Sequence, residues 1–187
     1  MEVKLDGRVA LVTGGSKGLG LAMATEFAAS GADVVILARR PEVLSEARQR
    51  IESSARGRVA VAACDVSKAQ DCRRGYEAAM DAFGKVDILV NNAGTSRAMP
   101  FEQITDEIWQ EDLDLKLFAA IRLARLIFPQ MKERRWGRVI NVLNIGAKAP
   151  RAGGAPTAVS RAAGMAREVP ALLTKISTLP KASIATS

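Results

Sequence analysis

Three glycines follow the first apolar run of the sequence, at Gly14, Gly18 and Gly20, and an apolar helical pattern begins among them. In a strand–turn–helix unit, glycines permit a tight turn, a close approach of the backbone to a pyrophosphate, and close packing of the helix on the strand. The free N–H groups and the positive dipole end of the helix favour a bound phosphate. The spacing therefore predicts a phosphate-binding loop, with a glycine-rich turn that binds nothing as the alternative.

Two further polar segments come directly after later apolar runs. Asp65 follows the run Val59–Ala63, and the segment Asn91–Gly94, which reads Asn-Asn-Ala-Gly, follows the run Val86–Val90. Ligands of doubly wound sheets bind at the carboxyl ends of the strands. We therefore expect both segments to lie beside the glycine loop.

Short apolar runs alternate with amphipathic stretches along the chain. Runs without polar alternation are typical of strands that are buried on both faces, as in a parallel sheet covered by helices. The pattern predicts a doubly wound parallel sheet in a three-layer α/β/α arrangement. The predicted strands are Val9–Val12, Val34–Leu37, Val59–Ala63, Val86–Val90 and Val139–Leu143. The predicted helices are Leu19–Ala29, Pro41–Ala55, Lys68–Phe83, one long helix from about Asp106 to Lys132, and a helix that begins at Ala158.

Over about residues 5–165 the chain resembles the short-chain dehydrogenases/reductases, and within them the 3-oxoacyl-carrier-protein-reductase-like members. The resemblance rests on the pattern TGxxxGxG at Thr13–Gly20, on the pair Asp65-Val66 and on the pattern NNAG at Asn91–Gly94, which occur in the family's order and at family-like spacing. It implies a Rossmann-like fold. It also implies an oxidoreductase that moves a hydride between a nicotinamide dinucleotide and a carbonyl/alcohol pair.

The same resemblance assigns roles to individual cofactor-binding positions. It implies that the adenine is met by Asp65 and Val66, with Asp65 accepting a hydrogen bond from the amino group. The remaining implied contacts are those to the cofactor phosphates, from Gly14, Ser16, Gly18 and Leu19, and those that line the ribose and brace the sheet, from Asn91, Ala93 and Gly94.

Two cations stand where the ribose of the cofactor is expected. The second predicted strand ends in Ala38-Arg39-Arg40, without the acidic residue that would bind the 2′-hydroxyl of NAD. Arg39, together with Lys17 of the glycine loop, suits an additional phosphate at that position. The sequence therefore predicts that NADP(H) is preferred over NAD(H). Arginines that merely solvate a loop are the alternative.

The positions of the family's catalytic residues are all substituted. The family uses Tyr-x-x-x-Lys, an upstream serine and a helix asparagine, and these positions correspond to Thr157, Arg161, Asn144 and Lys116. Asn144 can donate a hydrogen bond to a carbonyl, Arg161 can hold ribose hydroxyls, and Thr157 is a weak acid. Burial beside the cation Arg161 would favour loss of a proton from Lys116, which we predict to be the proton donor. A local salt bridge of Lys116 is the alternative.

Composition excludes several other classes of protein. The chain has 187 residues, a formal net charge of +7 and no histidine, which removes histidine-dependent hydrolases and most zinc sites, and no metal site is predicted. The basic residues are dispersed and aromatic residues make up 4%, so no nucleic-acid partner is predicted. Cys64 and Cys72 form no CxxC pair, which favours a reducing compartment. We expect a cytoplasmic protein with no signal peptide and no membrane partner.

The resemblance ends at about Ala166, and the family's last strands have no counterpart in the sequence after it. We therefore expect a dinucleotide-binding domain over residues 1–166, lacking the usual last strands, and a divergent tail over residues 167–187. The fifth strand would then form an exposed edge. The resemblance also implies a homodimer or a homotetramer.

Together, these features predict an NADP(H)-dependent oxidoreductase for a small-molecule carbonyl or alcohol. Because the four catalytic positions are substituted, a catalytically inactive dinucleotide-binding protein, truncated or serving as the partner of an active subunit, is the alternative.

Overall fold

The computed structural model describes residues 3–95, 99–149 and 153–165. Strands and helices alternate along these residues, as the apolar runs predict. The strands are β1 (Val9–Thr13), β2 (Asp33–Ala38), β3 (Val59–Ala63), β4 (Ile88–Asn91) and β5 (Arg138–Asn141). The helices are α1 (Gly18–Ala29), α2 (Pro41–Glu52), α3 (Ala69–Phe83), α4 (Asp106–Leu113), α5 (Ala119–Glu133) and α6 (Thr157–Ala163).

The five strands form one parallel sheet in the order β3-β2-β1-β4-β5. The chain moves outward from β1 to β3 and then crosses back to β4 on the other side of β1. In an open α/β sheet, the crevice at the carboxyl ends of the two strands flanking such a reversal is the usual ligand site. Here those strands are β1 and β4, which lead into the glycine loop and the Asn-Asn-Ala-Gly segment.

Both faces of the sheet are covered by helices, which confirms the three-layer arrangement. On one face, Leu11 and Leu89 belong to a cluster with Leu123, Ile127 and Met131 of α5. On the other face the sheet residues pack with residues of α1 and α2; this cluster includes Val12, Val34, Ile36, Ala24, Ala28, Leu44 and Ile51. Residues adjacent in a strand point to opposite faces, so a strand buried on both sides is apolar throughout. The burial of every residue of β1 fits that rule.

The long helix predicted from about Asp106 to Lys132 is interrupted in the structure. A π-helical turn at Asp114–Phe118 separates α4 from α5. Such a turn is wider than an α-helical one and shifts the direction of the side chains on it. Lys116 lies within this turn, and its ammonium group is hydrogen-bonded to residues of α4 and α6.

The fifth strand ends earlier than the predicted Val139–Leu143. Asn141 is paired with Asn91, the last residue of β4, and Val142 N then donates to Asn91 O at 2.9 Å. Beyond that point β4 offers no further ladder, so the chain turns into a short 3₁₀ helix at Ile145–Ala147. Within the described residues, β5 pairs with β4 alone and is the outer strand of the sheet, as expected.

None of the helices in the described ranges is long and apolar enough to span a bilayer. The predicted tail, residues 167–187, lies outside the described residues, and the division of the chain at residue 166 stays a prediction.

Candidate active site

The glycine loop joins β1 to α1 and is fixed to its neighbours by backbone contacts. Gly14 has a positive φ of +65°, and its N–H donates to Leu37 O of β2 at 2.8 Å. A Cβ on Gly14 would lie 3.0 Å from Ala93 Cα, and a Cβ on Gly20 would collide with the carbonyl of Gly14. The loop therefore has no room for side chains on its inner side, whereas Leu19 is 60% exposed on its outer side.

The first turn of α1 presents its N–H groups towards the loop. Its N-cap residue, Lys17, makes no capping hydrogen bond through its side chain, and the first turn holds no acidic residue. Unsatisfied N–H groups at a helix N-terminus bind anions well. This arrangement suits a phosphate, as the glycine spacing predicts.

A cleft of about 300 Å³ opens at the carboxyl edge of the sheet. All of the predicted cofactor-binding residues except Gly18, Leu19 and Asn91 line it, namely Gly14, Ser16, Lys17, Arg39, Asp65, Val66, Ala93 and Gly94. Arg40 and Leu115 line it as well, the second of which the sequence did not single out. The structure thus brings three basic residues, from two different loops, to the lining of one cleft.

Asp65 is held in place by its own loop. Its Oδ1 accepts hydrogen bonds from Ser67 Oγ at 2.7 Å and from Ser67 N at 3.2 Å, and its N–H donates to Asp71 Oδ2 at 2.8 Å. These contacts fix the carboxylate at the end of β3, where a base of the cofactor is expected.

Two polar residues that the sequence analysis did not assign join the glycine loop to the segment Asn91–Gly94. Thr13 Oγ1 accepts from Asn92 N at 2.9 Å and from Ala93 N at 3.0 Å. Asn92 Nδ2 donates to Thr13 O at 3.0 Å and to Gly14 O at 3.2 Å. The signal was present, because both residues belong to the recognised motifs, but their pairing depends on β1 and β4 being neighbours.

Asn91 makes a structural contact instead of lining the cleft. Its Nδ2 donates to Asn141 Oδ1 at 2.9 Å, which ties the end of β4 to the end of β5. The two asparagines are register partners in the sheet. The side chain therefore braces the sheet, in accord with one of its two implied roles.

Three of the four predicted catalytic residues, Lys116, Thr157 and Arg161, lie together beside the segment Asn91–Gly94. Lys116 Nζ donates to Thr157 Oγ1 at 2.8 Å. Arg161 Nη2 and Lys116 Cε each lie 3.7 Å from the point where a Cβ on Gly94 would stand. Arg161 and Lys116 also line a cavity of about 30 Å³ with Asn91. The two cations therefore converge on the loop where the nicotinamide end of a dinucleotide is expected.

Arg161 has one donor without a partner in this cavity. Its Nε is buried, and among the described residues no acceptor lies within hydrogen-bond distance of it. A buried donor without an acceptor is costly, so a ligand oxygen at this point would be favourable. The fourth predicted residue, Asn144, stands apart from this cluster. It is exposed and precedes the 3₁₀ helix after β5.

Two residues that the sequence analysis missed, Asp112 and Ser160, complete the cluster. Asp112 accepts a hydrogen bond from Lys116 Nζ at Oδ1 and one from Ser160 Oγ at Oδ2, the latter at 2.5 Å. The side chains of Asp112 and Lys116 are 5% and 4% exposed. The signal that could have found Asp112 is its place four residues before Lys116, on the stripe that continues as Ala119 and Leu123.

Comparison with protein families decides the ancestry of this arrangement. Residues 8–167 match the family model described as short chain dehydrogenase. The chain belongs to the short-chain dehydrogenase family. This confirms the family that the glycine loop and the Asn-Asn-Ala-Gly segment indicated, while the 3-oxoacyl-carrier-protein-reductase-like subgroup stays a prediction.

Known members of the short-chain dehydrogenase family show the same relationship. The chain is 36% identical over 135 residues to 11-beta-hydroxysteroid dehydrogenase A of Sesamum indicum, which covers 72% of this chain and 38% of that protein. It is 37% identical over 139 residues to D-beta-hydroxybutyrate dehydrogenase of Cupriavidus necator, covering 74% of this chain and 53% of the relative. The chain therefore spans about half the length, or less, of these two relatives.

A solved structure confirms the fold. The L-sorbose reductase of Gluconobacter frateurii, determined in complex with NADPH and L-sorbose, superposes with a TM-score of 0.89 at 35% identity, over 95% of this chain and 68% of the reductase. The parallel sheet and its helical layers are therefore those of a Rossmann-like short-chain dehydrogenase.

Proposed function

We propose that the protein is an NADP(H)-dependent oxidoreductase that acts on a small-molecule carbonyl/alcohol pair. The observation that carries the proposal is the cleft at the carboxyl edge of the sheet, which the glycine loop and the segment Asn91–Gly94 line together. The buried Lys116 side chain and Arg161 both approach Gly94 of that segment. The NADPH complex of the related sorbose reductase supports the choice of cofactor.

The residues fit a dinucleotide from end to end. The tight turn at Gly14 and Gly18 and the start of α1, with Ser16 and Leu19, would hold the phosphates. Asp65 and Val66 would meet the adenine. At the other end, Ala93 and Gly94 would line the ribose while Asn91 braces the sheet. The unpartnered Nε of Arg161 supports a ribose hydroxyl at that point, because a hydroxyl oxygen would satisfy it.

The proposed preference for NADP(H) rests on Lys17, Arg39 and Arg40, which line the same cleft. A phosphate accepts charge-assisted hydrogen bonds from such groups, which are about twice as strong as neutral ones. Among the described residues that line this cleft, Asp65 is the one acidic side chain, and its Oδ1 is engaged by Ser67.

When bound, the reduced nicotinamide would supply a hydride to the carbonyl carbon. The chain's own contribution is the proton and its delivery. We propose Lys116 as the source of that proton, with Thr157 hydrogen-bonded to it at 2.8 Å. Asn144, which lies on the exposed turn after β5, would donate a hydrogen bond to the substrate carbonyl.

Titration with NADPH and with NADH tests the cofactor half of the proposal. Energy transfer from Trp109 and Trp136 to the bound nucleotide reports binding. We expect NADPH to bind at least about tenfold more tightly than NADH, and Arg39→Ala to remove most of that difference, because about 1.4 kcal/mol of charge-assisted contact corresponds to tenfold. Arg56→Ala, an exposed arginine paired with Asp6 away from the cleft, is the matched control. Equal binding of the two nucleotides would contradict the preference.

Reduction of probe carbonyl compounds by NADPH tests the catalytic half. Saturable NADPH oxidation that is lost in Lys116→Ala, while NADPH still binds, would support the oxidoreductase. Binding without turnover of any probe would instead match the inactive alternative. Assembly as a homodimer or homotetramer remains a proposal from the family resemblance, and residence in the cytoplasm remains a proposal from the cysteine usage and the sequence of the N-terminus.

A further inference from the structure

Asp112 is a carboxylate buried beside the proposed catalytic groups. Its side chain is 5% exposed, and it lies on α4 facing the first turn of α6. An isolated charge at such a depth is strongly disfavoured unless it is paired and hydrogen-bonded. The hydrogen-bond partners of Asp112 therefore indicate the role of its carboxylate.

Both oxygens of Asp112 are engaged. Oδ1 accepts from Lys116 Nζ, and Oδ2 accepts from Ser160 Oγ at 2.5 Å. Thr157 Oγ1 donates a long hydrogen bond to Oδ1 at 3.5 Å and accepts one from Lys116 at 2.8 Å. The carboxylate therefore fixes the position of the Lys116 ammonium relative to the Thr157 hydroxyl, across two elements that are separated in sequence.

The charges around Lys116 explain why a carboxylate is needed there. Arg161 converges with Lys116 on Gly94, so the two cations share one small region. A neighbouring cation favours the neutral amine of a lysine, and a neighbouring carboxylate favours the ammonium. The carboxylate of Asp112, in direct contact with the Lys116 ammonium, supplies negative charge at that point. It opposes the loss of the proton that burial beside Arg161 would favour.

We propose that Asp112 is a positioning residue that keeps Lys116 protonated and directed at Thr157, so that Lys116 can deliver a proton through the Thr157 hydroxyl. The proposal rests on the proposed reductase function. With the hydride supplied to the carbonyl carbon by the reduced nicotinamide, when bound, the carbonyl oxygen would take the proton of the Thr157 hydroxyl. Thr157 Oγ1 takes a proton from Lys116 Nζ, and the neutral amine regains one from water. Asp112 forms no covalent bond in these steps.

The variant Asp112→Asn tests this with little change of shape. The assay is NADPH oxidation with L-sorbose and with acetoacetate as probe carbonyl compounds. We expect kcat to fall at least about tenfold, a factor equivalent to about 1.4 kcal/mol in the barrier. The dissociation constant of NADPH and the KM of the probe should stay within about threefold. A purely structural role would weaken binding and stability without this selective loss of kcat.

Asp114→Asn is the matched control. Asp114 lies two residues further along, in the π-helical turn, and pairs with Arg122 and Gln110 away from Lys116. We expect this variant to retain kcat within about threefold. A kcat for Asp112→Asn as high as that of the control would overturn the proposal.

A second readout decides the proposal without turnover. Competitive acetylation with acetic anhydride, followed by mass spectrometry, measures the reactivity of individual lysine amines, and the ammonium form does not react. We expect Lys116 to react at least about tenfold faster in Asp112→Asn than in the wild type or in Asp114→Asn, with NADPH binding showing that the fold is retained. Equal reactivity in all three proteins would refute the role of Asp112. Absence of turnover in the wild type, with the reactivity difference present, would refute the reductase function alone.

Discussion

Lys116, which the sequence analysis places at the position of the family's helix asparagine, donates hydrogen bonds to two side chains. Thr157 and Asp112 are both within hydrogen-bond distance of its Nζ. The other substituted position on α6, Arg161, lies beside the same glycine of the Asn-Asn-Ala-Gly segment. Lys116 and Thr157 are therefore bonded to each other, and the buried cation at position 116 is tolerated because a buried carboxylate lies at position 112.

The two cysteines are expected to be unreactive in the folded protein. Burial raises the pKa of Cys64 to about 11, with the charge of Asp71 adding to the effect, and burial likewise raises the pKa of Cys72 to about 11. At pH 8 both thiols are then protonated, and the thiolate is the reactive form. We expect an aromatic disulfide reagent to modify neither thiol of the native protein within minutes at pH 8.

Unfolding supplies the control for this prediction. In concentrated guanidinium chloride both cysteines of the chain should react promptly, since the pKa of each thiol returns to its ordinary range. Rapid modification of one thiol in the native protein would contradict the burial of that side chain.

At the scale of elements, the site depends on the joint between two loops that follow neighbouring strands. The hydroxyl of Thr13 and the amide of Asn92 connect the glycine loop to the Asn-Asn-Ala-Gly segment through four hydrogen bonds between 2.9 and 3.2 Å. Gly20 makes this joint possible, because Asn92 Nδ2 lies 2.5 Å from the point where its Cβ would stand. The cofactor cleft is therefore shaped by backbone approach more than by side chains.

Gly20→Ala is expected to displace the glycine loop. The new methyl group would collide with the backbone carbonyl of Gly14 and with the side-chain amide of Asn92, which two hydrogen bonds hold in place. We expect the affinity for NADPH to fall at least about tenfold, which corresponds to about 1.4 kcal/mol. Fluorescence titration measures the affinity, and urea unfolding measures the stability.

Gly84→Ala is the comparison variant, because it introduces backbone strain without displacing neighbouring atoms. Gly84 ends α3 with φ of +71°, and no atom lies within 4 Å of the point where a Cβ on it would stand. We expect a loss of about 1 kcal/mol in the free energy of unfolding, from the left-handed backbone. The NADPH affinity should stay within about twofold. Similar NADPH affinities in the two variants would mean that the close approach at Gly20 does not shape the site.

At the scale of the whole molecule, polar anchors lie at both ends of the sheet. The proposed site occupies the carboxyl edge, and Asp87 lies at the amino edge before β4. Asp87 is 1% exposed, accepts from Val9 N at 3.0 Å, and pairs with Lys85 at 3.1 Å and Arg134 at 3.2 Å. The Asp87 carboxylate thus joins β1, β4 and the segment after α5. These elements support the crevice from the amino edge of the sheet.

Asp87→Asn should destabilise the fold without altering the site. The amide keeps the size of the side chain and loses the charge that two cations share, so we expect a loss of about 2 kcal/mol in the free energy of unfolding. Urea unfolding measures it, and NADPH affinity at a temperature where the protein is folded should be unchanged. Asp6→Asn, in an exposed pair with Arg56, should cost less than about 1 kcal/mol. Equal losses in the two variants would show that burial of Asp87 adds nothing.

The order of the elements was predictable because each strand is a continuous apolar run. β3 was predicted at its observed bounds, and the other strands and helices lie at or within a few residues of theirs. The interruption of the long helix at Asp114–Phe118 was not predictable from the apolar pattern, and it coincides with the contact of Lys116 with α6, about forty residues further on. β5 ends where its neighbour β4 ends. The apolar run Val139–Leu143 carries no information about that neighbour.

By itself, the sequence determined the family, the layers of the fold and the loops that would meet a dinucleotide, since glycines, apolar runs and motif spacing are local properties of the chain. The tertiary structure decided what the substituted residues do together. In the sequence, nothing distinguishes Asp112 from the other carboxylates of its helix. In the structure, α6 packs against α4, and Asp112 is buried with Lys116. Asn144, assigned by position alone, lies outside that cluster. Long-range packing sets which charges are buried as partners, and that information is absent from any single stretch of sequence.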